Sequence, residues 1–232
     1  VASFSSSALH FPSFQLKPGF TIVKGTPMKS ARPLYLSLGI TLLALLLVFT
    51  AFTTERRLTW LLEVTPVFIV APILWVTAKR YPLTPLLYAL IFIGCVSLIV
   101  GGMYSYARVP VGFWLQDLLG LDRNPYDRIG HVLQGLVISL SAREVLLRDG
   151  YRPGAKMLGF LVCCVTLAIS AFYELIEWWV ALILGKDADD FLGTQGDEWD
   201  TQADMLCALL GALITVFVLG RWHSRQVKRR LS

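Results

Sequence analysis

Apolar residues run along this chain in long, nearly unbroken blocks, not in the short alternations of strands or the narrow stripes of water-facing helices. Six blocks stand out, at about 33–52, 60–78, 83–106, 129–147, 157–184 and 201–220. Each approaches or exceeds the roughly 20 residues that an α-helix needs to cross a bilayer core. The pattern therefore predicts an all-α fold, a polytopic membrane helix bundle of about six transmembrane helices. Pro66 and Pro72 predict a kink in the second span, which neighbouring helices can tolerate. The connection at 79–82 is short enough to force spans two and three into an antiparallel hairpin. The segment 107–128 contains VGFWLQDLLGL, too short to cross and expected to lie in the interface or dip into the membrane. No internal repeat or low-complexity linker divides the chain, so 28–232 reads as one membrane-embedded domain.

Composition sharpens this picture. Hydrophobic residues make up 55% of the chain and charged residues only 16%, which excludes an ordinary water-soluble domain. Residues 1–27 have neither a signal-peptide core nor helical periodicity. We expect translation to start at Met28, with the preceding residues an upstream extension or, alternatively, a disordered tail. After Met28, Lys and Arg divide thirteen to six between alternate connections. The positive-inside rule then predicts that both termini are cytoplasmic. The net charge of +5 resides in these flanks and in RWHSRQVKRRLS, so it does not suggest nucleic acid. Cys95, Cys163, Cys164 and Cys207 all fall inside apolar blocks, without metal-ligand spacing or a disulfide framework.

The stretch GTQGDEWDTQADM, between two apolar blocks, holds four acidic residues. Asp197, Asp200 and Asp204 follow i, i+3, i+7 and share a face at the entry to span six. Two further groups fall at the same predicted end of the bundle. Asp127, His131 and Gln134 lie on one face of span four, and Glu174 and Glu177 lie in the outward half of span five. An acidic residue at the centre of a membrane helix costs about 2.5–3.5 kcal/mol on insertion scales. Something must compensate the two glutamates.

A divalent cation would satisfy these charges together, which makes Asp127, His131, Glu174, Glu177, Asp197, Asp200 and Asp204 candidate metal ligands. Oxygen-rich, thiolate-free sites favour Mg²⁺, Mn²⁺ or Ca²⁺, and a His added to acids also accepts Zn²⁺. Gln134 and Gln195 are candidate orienting groups. Such a site suggests a hydrolase or transferase acting on a lipid or other amphiphilic substrate, with Glu177 or Asp204 as the base. The spacing matches no familiar metalloenzyme signature; H-E-x-x-H is missing. Each group also has a plainer role. Asp127 and Asp197 suit helix N-termini, His131 suits an interhelical hydrogen bond, and the glutamates suit pairing with Arg123 or Arg128. Trp178, Trp179 and Trp199 suit an interfacial belt. The same acids also suit a cation or proton carrier, or a structural cluster that fixes helix register. A carrier predicts a polar path through the bundle, for which Ser139, Ser141, Thr166 and Ser170 offer little.

NPYDRIGHVLQG, YELIEWW and GTQGDEWDTQADM, with the opening MKSARPLYLSLGITLLALLL, resemble the YjdF-like family of bacterial inner-membrane proteins, a domain of unknown function. The resemblance runs from Met28 to the C-terminus and implies a small multispanning protein of the bacterial inner membrane. It assigns no catalytic roles.

Overall fold

A computed structural model describes residues 34–149, 154–185 and 192–231. The expectations for residues 1–27 and for a start at Met28 lie outside the described residues, as do Lys29, Arg32, Arg152 and Lys186 of the charge count. Every regular element described is helical. Helices α1 (Leu34–Thr53), α2 (Arg57–Thr77) and α3 (Pro85–Tyr104) precede a 3₁₀ turn, Tyr106–Arg108. Then follow the short α4 (Pro110–Leu119), α5 (Tyr126–Arg148), α6 (Ala155–Leu184) and α7 (Asp200–Ile214). A π-helical stretch, Thr215–Leu219, carries α7 into α8 (Gly220–Leu231).

Five stretches are long and apolar enough to cross a membrane: α1, α2, α3, α6 and the rod formed by α7 and α8. Large side chains such as Phe52, Ile183 and Phe217 project from them almost fully exposed. In water that surface would aggregate, whereas in a bilayer it meets lipid. Helix α2 runs on through both Pro66 and Pro72. Thr84 caps α3, its hydroxyl accepting from the amide of Leu87, with Pro85 in the first turn where a missing N–H costs nothing. Helix α4 ends at Gly120, whose φ of +62° is open to glycine without strain. Its Val111, Phe113, Trp114, Leu118 and Leu119 are exposed.

Helix α5 is the exception among the long helices. Its 23 residues reach about 34 Å, enough to span, but it is too polar to join the apolar five. It packs against α3, α6 and α7, so Asp127, His131 and Glu144 are buried in protein rather than set against lipid. The α5–α7 seam is closest of all. A Cβ on Gly135 would overlap the backbone of Ala208, and one on Gly211 would overlap the Val132 carbonyl and the Leu136 amide. Small residues allow this approach of two helix backbones. Beyond the seam the Ser139 hydroxyl donates to Thr215 Oγ1 at 2.7 Å.

Candidate functional site

The register of these helices brings the start of α5, the C-terminal part of α6 and the start of α7 together at one end of the bundle. There the ligand atoms of Asp127, His131 and Asp204 all lie within 4.8 Å of one another, and all three residues are buried. His131 Nε2 stands 3.6 Å from Asp127 Oδ1 and 3.9 Å from Asp204 Oδ2. On the other side of the ring, Nδ1 lies 3.2 Å from Gln134 Oε1 and 3.9 Å from Glu174 Oε1. Glu174 Oε1 is buried with no hydrogen-bond partner. The i, i+4 spacing of Asp127 and His131 makes half of this contact locally. The α5–α7 seam delivers Asp204.

Asp197 and Asp200 sit apart from the imidazole, in a knot with two arginines. Asp200 Oδ1 accepts from Arg123 Nη1 at 2.6 Å and from Arg128 Nη2 at 2.8 Å. Asp197 Oδ2 accepts from the same two groups at 3.3 and 2.8 Å. Arg128 Nε also approaches Asp204 Oδ1 at 3.3 Å. The arginines thus meet the aspartates of the loop and α7, not Glu174 and Glu177. Nor does Asp197 cap α7, because the residue before the helix is Trp199. Instead Asp197 Oδ1 accepts the Trp199 amide at 2.9 Å and shapes the turn. That amide, followed by Arg128 and Arg123, holds the Asp197 carboxyl below the ordinary carboxylate range. Asp127 lies in the first turn of α5 behind Pro125, where the helix dipole favours an acid. Gln195 clamps the backbone of Asn124: its Oε1 accepts from the amide at 3.0 Å and its Nε2 donates to the carbonyl at 3.1 Å. Both ends of its amide are therefore engaged in holding the loop.

A cavity of about 330 Å³ opens beside His131 and Asp127, within the size range of small-molecule sites. Glu177 lines it, one helical turn beyond Glu174. So does Glu63 of α2, which is 4% exposed. Glu63 did not stand out in the sequence, yet the signal was there: one acid inside an apolar run, like Glu174. The Tyr106 ring lines the same space, slotted between α3 and α5 because Gly101 and Gly130 leave room for it.

A second polar centre lies at the opposite end of α5. Glu144 is fully buried and accepts from the Thr84 amide at 3.0 Å, the Thr84 hydroxyl at 2.8 Å and Arg148 Nη1 at 2.9 Å. His223 Nε2 of α8 lies 3.1 Å from Glu144 Oε2. Arg148 Nη1 also donates to the Pro82 carbonyl, and its guanidinium lies 3.5 Å from the centroid of the Tyr81 ring. Burial pushes the Tyr81 hydroxyl up to about 12. In sequence these residues read as the polar ends of spans four and six.

Comparison with known proteins agrees with this architecture. Residues 35–225 match the family described as predicted membrane protein DUF2238. The chain is 61% identical to the inner membrane protein YjdF of Escherichia coli (strain K12) over 201 residues, covering 87% of this chain and 96% of that protein. No solved structure matches the chain.

Proposed function

The chain belongs to the DUF2238 family and is a multi-pass protein of the bacterial inner membrane, and from that premise we propose that its buried Asp127–His131–Asp204 centre binds a divalent cation and hydrolyses, or transfers a group on, an amphiphilic substrate. The convergence of those three ligand atoms within 4.8 Å carries the reading. The second face of His131 supports it. With Nδ1–H donating to Gln134 Oε1, the lone pair of Nε2 is left facing Asp127 and Asp204, the orientation a metal-binding histidine needs. Three protein ligands with a position left over are the arrangement of a catalytic rather than a structural zinc site, and the two carboxylates equally suit Mg²⁺ or Mn²⁺. Such an ion would supply a water of lowered pKa.

The chain's own residues complete the site. Glu177, in the cavity wall, is the general base. Asp204 is a ligand: Arg128 Nε approaches its Oδ1 at 3.3 Å, and its Oδ2 faces the imidazole. Glu174 stands on the Nδ1 side with Gln134 and orients the ring. Asp197, Asp200 and Gln195 hold the loop over the site. A carrier would need polar groups to continue along α5. The seam of Gly135 against Ala208 separates His131 from the Ser139–Thr215 pair instead, which favours a pocket over a relay.

We take α5 as the sixth span, enclosed rather than lipid-facing, and the excess of Lys and Arg at the Glu144 end as the cytoplasmic side. The metal centre then faces the periplasm. To test the centre, metal content is measured by mass spectrometry on protein purified without chelator and reconstituted with Mg²⁺, Mn²⁺ or Zn²⁺. About one ion per chain is expected, lost in folded His131→Ala and Asp204→Asn variants. Wild-type protein that retains no ion would sink the reading.

A further inference from the structure

The cavity beside this centre carries a polarity gradient of its own. At the end nearest His131 stand Glu63 of α2, Asp127 of α5 and Glu177 of α6, with the rings of Tyr106 and Tyr173. Deeper in, the same three helices contribute Val70, Ile138 and Ile169. By helical rise the apolar groups lie about 10–16 Å from the acidic ones. Ile169 is 45% exposed although it lines the cavity, so the α6 side meets the lipid-facing surface.

Apart from His131, the charged side chains on the wall are all acids, Glu63, Asp127 and Glu177. No Lys or Arg lines the cavity among the described residues, because Arg123 and Arg128 point to Asp197, Asp200 and Asp204. Asp127 has His131 and Arg123 for company. Glu63 has neither: it is 4% exposed, and the ion pairs of His131 and Arg123 go to Asp127, Glu174, Asp204, Asp197 and Asp200. Its Cβ lies so close to Gly102 of α3 that any side chain there would crowd it, which leaves the cavity as the outlet for the carboxyl group. A buried carboxylate without a partner is costly, and a complementary cation removes that cost.

We propose that the cavity binds an amphiphile with a cationic amine head group, the ammonium held by Glu63 between the two tyrosine rings and the apolar body filling the deeper half. Tyrosine faces reinforce such a contact. As the identity of the substrate this rests on the reading above. As a binding site it does not, since Glu63 lies outside the proposed metal ligands.

The test uses full-length protein in nanodiscs, first stripped of metal, with octylammonium, octanol and octyl sulfate as matched probes. A charge-assisted hydrogen bond predicts that octylammonium binds at least about tenfold more tightly than octanol, with octyl sulfate weakest. Glu63→Gln should equalise octylammonium and octanol while leaving Zn²⁺ uptake intact. Ile169→Trp, where the apolar half meets the lipid-facing surface, should weaken both without changing their ratio. Equal binding of the amine and the alcohol by wild-type protein, or a preference that survives Glu63→Gln, overturns the proposal whether or not metal binds. Loss of metal binding with the amine preference retained would instead overturn only the catalytic reading.

Discussion

Glu144 and Glu174 are both carboxylates buried among membrane helices, and their surroundings differ in kind. Glu144 is saturated, accepting hydrogen bonds from Thr84 and Arg148 and facing His223 Nε2, so the helices that meet it are tied to one another. Glu174 keeps an oxygen without a partner, as the Asp127–His131–Asp204 group keeps its carboxylates near 4 Å from the ring rather than in hydrogen bonds. A buried charge is tolerable when its donors are supplied internally, and the basic end of α5 supplies them. At the acidic end the hydrogen bonds of Arg123 and Arg128 go to Asp197 and Asp200, and none reaches Glu174 or Asp127. That shortfall is the physical reason for assigning structure to one end and ligand binding to the other.

The comparison can be broken most directly at Glu144. Glu144→Ala removes the acceptor that Thr84, Arg148 and His223 share, and we expect a loss of about 3–5 kcal/mol, read as a collapse of the melting temperature or of the monodisperse yield in detergent. Variants of Asp127 or Asp204 that stay folded while Glu144→Ala does not would sharpen the contrast. Comparable collapse at both ends would erase it. The wall between the two centres is the next target. Gly135→Val drives two methyl groups toward the Ala208 backbone, so overpacking should cost about 1–3 kcal/mol. A thermal scan checks this, and an unchanged midpoint would mean that the seam is loose.

Smaller effects report on the acidic end itself. Glu174→Gln removes a charge whose Oε1 lacks a partner, and we expect the metal-free protein to gain about 1 kcal/mol. Destabilisation would show that the carboxylate is structurally satisfied. Asp197 has the mildest role. Its folded pKa lies below the ordinary range, so the stability it contributes is present above the unfolded value of about 3.9 and is lost as pH falls through the folded value. Asp197→Asn should remove that small contribution at neutral pH and, with it, flatten the acidic part of the pH–stability curve. A marked loss at pH 7 would place the loop knot among the main supports of the fold.

Much of the architecture follows from the sequence alone. Apolar blocks of membrane length set the helices, because in lipid an unbroken helix is the economical way to satisfy a chain's backbone. The i, i+4 pair of Asp127 and His131, the intramembrane Glu174 and Glu177, and the acids ahead of α7 are all visible there, since helical spacing places them on faces without knowledge of neighbours. What spacing cannot supply is partnership across helices. Only the tertiary structure separates Asp204, beside the imidazole, from Asp197 and Asp200, taken up by Arg123 and Arg128. Only packing makes α5 the enclosed helix, through glycines that admit α7 to backbone contact. Glu63 and Glu144 show the same limit from opposite sides: each is one acid in a helix, and whether it meets a cavity or a set of donors depends on other helices, Thr84 and His223 lying 60 and 79 positions from Glu144.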